Sequence, residues 1–426
     1  KIYKKLSKKL KVNTNNIVFT AGSDQAIKNT FELFYKKNME VITIDPTFAM
    51  VDIYCKIFKT KQIKIGYDKN LKLRLKDIYE AINKNTSLVI LANPNSPTGT
   101  VVAKNNLIKI IKKAMVHKIL INEGKAEGVS FAANAKTNQA FANKEVLVCA
   151  GAINSPQLLM LSGIGPKDHL SEMGISVNAD VPGVGQNLMD HLEVYVQQSI
   201  TKPLSLYKDL SLLGRAKIGL EWLLTQRGLG ATNHFEVGGY IRSHPAAVQP
   251  DIQFHFLPAA MSYDGSSQAS GHGCQAHVGP MLSPSRGIIR LKSSNPLDYP
   301  AIKFNYMSHP SDWEVFRAAI RGAREIFSQP AFDAIRGPEF NPGAQAQTDK
   351  ELDAFVRAHA ESAYHPCGTC KMGVDDMSVV DPAGRVHQIG NLRVIDSSIF
   401  PHITNGNLNA PTIMVAEKMA DMIKSA

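Results

Sequence analysis

The densest run of chemically competent residues in the chain is Tyr364-His365-Pro366-Cys367-Gly368-Thr369-Cys370. A histidine titrates near neutrality and is the commonest general base, while an amide offers a fixed dipole without gaining charge. Two amides follow in Gly406-Asn407-Leu408-Asn409-Ala410-Pro411-Thr412. Cys367-x-x-Cys370 beside His365 has the outline of half a zinc site or of a redox dithiol. No fourth ligand stands at motif spacing, so the pair reads as two small buried thiols and no metal is expected.

These residues need strands and turns to hold them. Residues 116–121 and 128–131 read as hairpin strands, and a strand over 145–149 runs into Ala150-Gly151-Ala152-Ile153-Asn154-Ser155-Pro156. With Ser155 and Pro156 in its first turn, the helix that follows opens on small residues that let backbone approach a flat ligand. Earlier, a strand over 17–20 feeds Ala21-Gly22-Ser23-Asp24-Gln25, whose free N–H groups form either a plain N-cap or a phosphate cradle. Strands over 41–44, 62–65 and 87–91 then alternate with helices, one ending at Phe58 and one over 75–82, which is an α/β pattern with a mostly parallel sheet. The last strand delivers Asn93-Pro94-Asn95-Ser96-Pro97-Thr98-Gly99 at its carboxyl end, where open α/β sheets bind ligands.

At 426 residues the chain can form two or three domains with a large core. Its composition breaks near residue 114. Residues 1–114 hold 21 lysines and one arginine, Arg74, against 8 acidic residues, a balance of +14; the rest carries 26 basic and 29 acidic residues, a balance of −3. Only Pro46, Pro94 and Pro97 of the 22 prolines precede the break. The lysines are dispersed without aromatic interleaving, so the net charge of +11 reads as a solvated surface and no nucleic-acid partner is expected. Five scattered cysteines make no disulfide framework, and no apolar run approaches the roughly 20 residues that cross a bilayer. No leader is read ahead of the first helix, although the chain opens on Lys1. A cytoplasmic location is expected, with peripheral membrane association left open.

Over about residues 2–114 the motifs at 21–25, 45–48 and 93–99 resemble a histidinol-phosphate-type aminotransferase of the pyridoxal-phosphate family. The resemblance implies that Gly22, Ser23 and Asp24 hold a cofactor phosphate, that Phe48 lies near the ring and that Asn95 faces the pyridine hydroxyl. Many relatives have Asn where this chain has Ser96. Such an enzyme also needs a downstream Schiff-base lysine and an acid for the pyridinium nitrogen. The pattern stops before either, so the site reads as vestigial and neither transamination nor bound pyridoxal phosphate is expected.

From residue 115 onward the runs at 150–166, 364–373, 381–386, 391–398 and 406–412 resemble glucose-methanol-choline (GMC) oxidoreductases. Those at 183–191, 230–236, 253–258 and 304–306 are most similar to the family's bacterial choline-oxidising branch. The resemblance implies FAD-dependent oxidation of a small alcohol, choline to betaine aldehyde, by hydride transfer to flavin. It makes His365 the base and Asn409 the group that steadies the alkoxide. Asp396, Asn407 and Thr412 would line the flavin, with Ala150 and Gly151 on its adenosine side. A quaternary ammonium binds best to aromatic faces near a carboxylate, for which Tyr364 and Glu236 are candidates. A packed core tyrosine and an exposed strand glutamate are the alternatives.

No Gly-x-Gly-x-x-Gly turn is present, since the runs at 163–165, 183–185 and 228–230 lack both the third glycine and a preceding Rossmann strand. The family's Gly-Gly-Ser-Ser-like loop is missing as well. The expected architecture is mixed α/β and α+β. An aminotransferase-like α/β fragment spans 1–114, a truncated GMC-type FAD domain with a partial cofactor site spans 115–193 and 360–426, and an antiparallel-sheet substrate domain spans 194–359. Two other readings stand beside the alcohol dehydrogenase: an inactive fusion or truncation product, and an aminotransferase. The electron acceptor, the oligomeric state and the origin of the junction are not legible.

Overall fold

The structure is a computed structural model that describes residues 31, 39–45, 47, 49–68, 74–83, 86–90, 115–133, 136–209, 211–235, 237–261 and 271–425. The chain divides into two compact units, residues 1–120 with 127–143, and residues 121–126 with 144–426.

The first unit contains a three-stranded parallel sheet. Its central strand, Glu40–Asp45, pairs with Lys61–Gly66 on one side and Thr86–Ile90 on the other. A central parallel strand is covered on both faces, which is why EVITID is apolar at successive positions. Val41 packs with Phe31, Tyr54 and Cys55, whereas Ile42 packs with Ile65 and Ile78. Helices Ala49–Ile57 and Leu75–Ala81 provide the crossovers, so the α/β alternation is present where the sequence placed it. Gly22, Ser23, Asp24, Phe48 and Asn95, assigned above to a vestigial phosphate-cofactor site, lie outside the described residues. Strands Met115–Asn122, Lys125–Ala133 and Lys136–Phe141 form a separate three-stranded sheet. The third, KTNQAF, lacks apolar alternation and gave no strand signal in the sequence.

The second unit is organised by an antiparallel sheet in the order Val237–Ile241, Ile252–Leu257, Gly273–Pro280, Leu192–Ile200, Arg336–Asn341. Side chains alternate across a pleated strand, so one face can be apolar while the other is polar. Leu192, Val194, Val196, Ile252, Phe254, Cys274, Ala276 and Val278 point into one core. Helix Pro310–Ser328 covers that face with Phe316, Ala319, Ile320, Ala323 and Phe327, at the spacing of one helical stripe. Its start is fixed by Pro310 at N1 and by His309, whose Nδ1 accepts from the Ser311 N–H at 3.2 Å. Helix Asp349–His359 adds Leu352, Phe355 and Val356 and begins with a Thr348–Glu351 capping box.

A second substructure is a parallel pair, Val146–Val148 with Leu392–Val394. The first of these strands leads through Cys149 and Ala150 into helix Gly151–Leu161. Together these pieces make the mixed α/β and α+β architecture read from the sequence. No helix among the described residues is long and apolar enough to cross a membrane.

Candidate active site

The polar face of the antiparallel sheet carries Glu193, Gln253, His255, Gln275 and His277, the residues that alternate with the core set. His255 lies directly opposite His277 in the strand register, and Tyr195 pairs with His277 on the other side. Glu193, Gln253, His255 and His277 line one small cavity together with His191 and His365.

Asp190 brings His365 into this cavity. One oxygen of its carboxylate accepts from the His191 N–H at 2.9 Å and the His365 N–H at 2.7 Å. The other accepts from the Tyr306 hydroxyl at 2.6 Å and the Ser362 hydroxyl at 2.5 Å. Four donors from three stretches of chain thus converge on one carboxylate that is 7% exposed. Met189 and Cys367 exchange backbone hydrogen bonds, which fixes the His365 loop alongside the His191 strand.

The protonation pattern follows from the partners. His191 Nε2 is 3.0 Å from the Met281 carbonyl, which can only accept, so that nitrogen carries the proton. Burial, and next the proximity of His365, lower the pKa of His191 to about 4, so its Nδ1 is an unprotonated acceptor at neutral pH. His365 Nδ1, 3.0 Å away, must then donate to it. The lone pair of His365 therefore resides on Nε2, where the Asn407 amide nitrogen stands at 3.2 Å. Asn407 is oriented in turn by Gln253, whose Nε2 donates to its Oδ1 at 3.1 Å. Burial also lowers the pKa of His365, with Asp190 and then Glu193 acting in the opposite sense. The arrangement offers a neutral base with its lone pair directed beside an amide N–H, which is what proton removal from a hydroxyl requires.

The depressed pKa of His191 predicts an acid sensitivity. The unfolded imidazole takes a proton near pH 6.5 and the folded one only near 4, so between these values the unfolded state binds more protons. Stability contributed above pH 6.5 should fall by roughly 3 kcal/mol as the pH drops to 4. Urea unfolding followed by tryptophan fluorescence is a suitable measurement, because both tryptophans, Trp222 and Trp313, lie in the second unit. The variant His191→Phe should show a flatter pH slope. An unchanged slope would remove His191 as its source.

The structure brings some of the residues singled out in the sequence together and leaves others apart. The amide beside His365 belongs to Asn407, at 3.2 Å from Nε2, and not to Asn409. Asn409 is exposed at the first position of helix Asn409–Lys424. Asn407, expected along the flavin, is in hydrogen-bond contact with His365. Tyr364 is 66% exposed and does not line the cavity, and Glu236 lies outside the described residues. The carboxylate in the cavity is Glu193, which the sequence reading missed; its signal was its place two residues after His191, on the polar phase of a strand. Asp396 turns its carboxylate inward, accepting from the Gly151 N–H at 3.0 Å, the Ser155 hydroxyl at 2.5 Å and the Ser398 N–H at 2.8 Å. Thr412 bonds back to the Leu408 carbonyl at 2.8 Å. Ala150 and Gly151 form an exposed to half-buried turn at the carboxyl end of their strand. Cys367 and Cys370 are fully buried, burial pushes the Cys367 thiol up to about 12, and no metal-ligand cluster occurs among the described residues.

The contact between His365 and Asn407, which lie in different loops, stands beside the antiparallel sheet of the second unit. Residues 100–193 and 283–416 match the two family models described as GMC oxidoreductase, and the chain belongs to that family. Residues 1–123 match the model of aminotransferase class I and II. The chain is 57% identical over 318 residues to the oxygen-dependent choline dehydrogenase of Brucella canis, covering 74% of this chain and 58% of that protein. It is 58% identical over 313 residues to the protein of the same name from Sinorhizobium medicae, covering 73% and 57%. Among solved structures, pyridoxine 4-oxidase from Mesorbium loti is similar at a TM-score of 0.64 and 28% identity, over 74% of this chain and 57% of that one. A formate oxidase from Aspergillus oryzae, whose study concerns FAD modification, matches at a TM-score of 0.69 and 26% identity, over 73% and 60%. The chain thus spans somewhat more than half the length of these relatives.

Proposed function

We propose that the second unit oxidises choline to betaine aldehyde, with FAD as the hydride acceptor. The observation that carries this reading is the contact of the Asn407 amide with Nε2 of His365, a residue that lines a small cavity together with the carboxylate of Glu193. A quaternary ammonium has no N–H to donate, so its recognition rests on charge and on aromatic faces. Glu193 supplies the charge. The hydroxyl end would then reach His365, whose Nε2 takes the proton while the Asn407 N–H steadies the oxygen as charge develops on it. Gln253 keeps that amide aimed, and Asp190 and His191 hold the imidazole in its productive tautomer.

The residues fit one end of a flavin dinucleotide. The Cys149–Ala150–Gly151 turn stands at the carboxyl end of its strand, where open sheets bind cofactors. Gly151 holds a φ of +79° with open space where a Cβ would stand, so a flat group can approach the backbone there. Asp396 lies under this turn as its scaffold. For the pyrophosphate the sequence offers no glycine-rich turn. A bound flavin supplies hydride acceptance at the alcohol carbon, which no amino-acid side chain can provide.

The missing turn favours a second reading, in which the chain is a fusion or truncation product that holds no cofactor and has no activity. An absorbance spectrum separates the two. Purified chain is mixed with excess FAD or pyridoxal phosphate and then desalted. A retained flavin band that bleaches on addition of choline is the result expected of the dehydrogenase. A colourless protein would establish the second reading, and a retained pyridoxal band would point to the aminotransferase segment.

A further inference from the structure

We infer that Gln253 and Tyr240, on adjacent strands at one end of the antiparallel sheet, are positioning residues that decide which end of the Asn407 amide meets His365. This inference rests on the reading above, in which Asn407 steadies the substrate oxygen.

The direction of this run of hydrogen bonds is set at the Met281 carbonyl, which can only accept. It accepts from His191 Nε2, His191 Nδ1 accepts from His365 Nδ1, and His365 Nε2 accepts from the Asn407 amide nitrogen at 3.2 Å. The Asn407 oxygen is thereby turned away from the imidazole and accepts from Gln253 Nε2 at 3.1 Å. The second N–H on that nitrogen donates to the Tyr240 hydroxyl at 2.9 Å. Tyr240 and Gln253 stand opposite each other in the strand register, so both side chains rise from the same face of the sheet. Gln253 is 4% exposed, and its Oε1 is buried without a hydrogen-bond partner among the described residues. The amide of Gln253 is therefore held on its nitrogen side alone, by Asn407 and by Tyr240.

The loop that carries Asn407 is fitted to this pair. A Cβ on Gly406 would stand 3.2 Å from the Tyr240 hydroxyl, and Gly406 holds a φ of +133°, so a glycine precedes Asn407 where the tyrosine comes close. The Asn405 amide donates to the Pro250 carbonyl at 2.7 Å, which ties the same loop to the connection between Val237–Ile241 and Ile252–Leu257.

The two orientations of the Asn407 amide ask opposite things of His365. With its N–H toward Nε2 the amide stabilises the neutral imidazole; with its oxygen there it would stabilise the imidazolium. Only the first orientation presents an N–H where charge develops on the substrate oxygen. A donor at position 253 enforces it, because turning the Asn407 NH₂ group toward Gln253 would set two donors against each other. The charged and titratable groups around His365 are Asp190, which binds its backbone N–H, and His191, Glu193, His255 and His277 about the cavity. Among the described residues, none of these side chains hydrogen-bonds to Asn407 or Gln253, so the two amides act on His365 separately from them.

The test reads His365 in the full chain and needs neither flavin nor turnover. Histidine labelled with a carbon isotope at Cε1 gives a titrating NMR signal for each ring, and the signal of His365 is the one lost in His365→Ala. Gln253→Met keeps the length of the side chain and removes its donor, and should raise the His365 pKa by about one unit. Tyr240→Phe, at a half-exposed site that tolerates the change, should raise it by roughly half as much and carries the test should Gln253→Met not fold. In an Asn407→Ala background Gln253→Met should add no shift, because the amide through which it acts is gone. On the FAD-loaded chain, kcat for choline should fall about tenfold in Gln253→Met and about threefold in Tyr240→Phe, with KM nearly unchanged. An unshifted His365 in Gln253→Met, or the same shift with and without Asn407, overturns the inference. A Tyr240→Phe chain that titrates as the wild type does, while Gln253→Met shifts, overturns the role of Tyr240. A loaded wild-type chain that leaves choline unoxidised overturns the choline reading, and the titration still decides whether Gln253 and Tyr240 orient Asn407.

Discussion

Replacing His365 by alanine is expected to lower choline-dependent flavin reduction by about 100- to 10,000-fold, the range over which a positioned general base contributes. The expectation rests on one lone pair. His365 Nε2 is the nitrogen that the neighbouring tautomers leave unprotonated, and the Asn407 amide that donates to it marks the spot at which the substrate oxygen would sit. The pH profile carries a second, independent readout. Burial holds the His365 pKa below 6.5, so wild-type turnover should be flat above that pH and decline as acid protonates the imidazole. In His365→Ala that acid limb should vanish along with most of the rate, and exogenous imidazole should restore part of it. Stopped-flow measurement of flavin bleaching on the FAD-loaded chain reads both quantities. Wild-type rates in the alanine variant, or an acid limb that survives the substitution, would remove His365 from the chemistry. Asn407→Ala should lower the rate as well, whereas Asn409→Ala should leave it close to that of the wild type.

The contrast between those two asparagines shows what the sequence could convey. Asn407 lies in the loop before a helix and Asn409, two positions on, is the helix's first residue, so the helix start decides which of them faces His365. Helix ends are set by backbone hydrogen bonds to neighbouring segments, and a single loop sequence leaves them undetermined by a residue or two. His365 was legible because its surroundings, a proline and a Gly-flanked pair of small thiols, constitute a long specific run. Glu193 was not, because the pairing of Leu192–Ile200 with Gly273–Pro280 spans some eighty residues, and only that pairing brings Glu193 to His277. Period-two alternation places residues 192, 194 and 196 on one face, but it carries no information on whether the opposite face closes over a cavity. The parallel sheet of the first unit was readable strand by strand, since buried parallel strands are continuous apolar runs bounded by turns.

Asp190→Ala is expected to destabilise the second unit by at least about 3 kcal/mol, and to cost activity beyond that loss of stability. The carboxylate accepts from two backbone N–H groups and two hydroxyls, and it is 7% exposed, so water cannot replace it at all four. Each buried donor left unmatched costs about 1–3 kcal/mol. The Tyr306 hydroxyl illustrates how closely this centre is closed, since burial, followed by its bond to Asp190, raises its pKa. Asp190→Asn is the informative companion. One amide oxygen can still accept from two donors, but the NH₂ group would meet either the Tyr306 and Ser362 hydroxyls or the two backbone N–H groups. Hydroxyls can rotate and accept, whereas backbone N–H groups cannot, so asparagine should settle with its oxygen toward His191 and His365 and recover roughly half of the lost stability. Urea unfolding monitored by Trp222 and Trp313 gives the stability, and the rate of flavin bleaching at saturating choline gives the activity. If Asp190→Ala unfolds within 1 kcal/mol of the wild type, as an order-of-magnitude threshold, the four-donor centre does not organise the site. His365 would then owe its place to the Met189–Cys367 pairing alone.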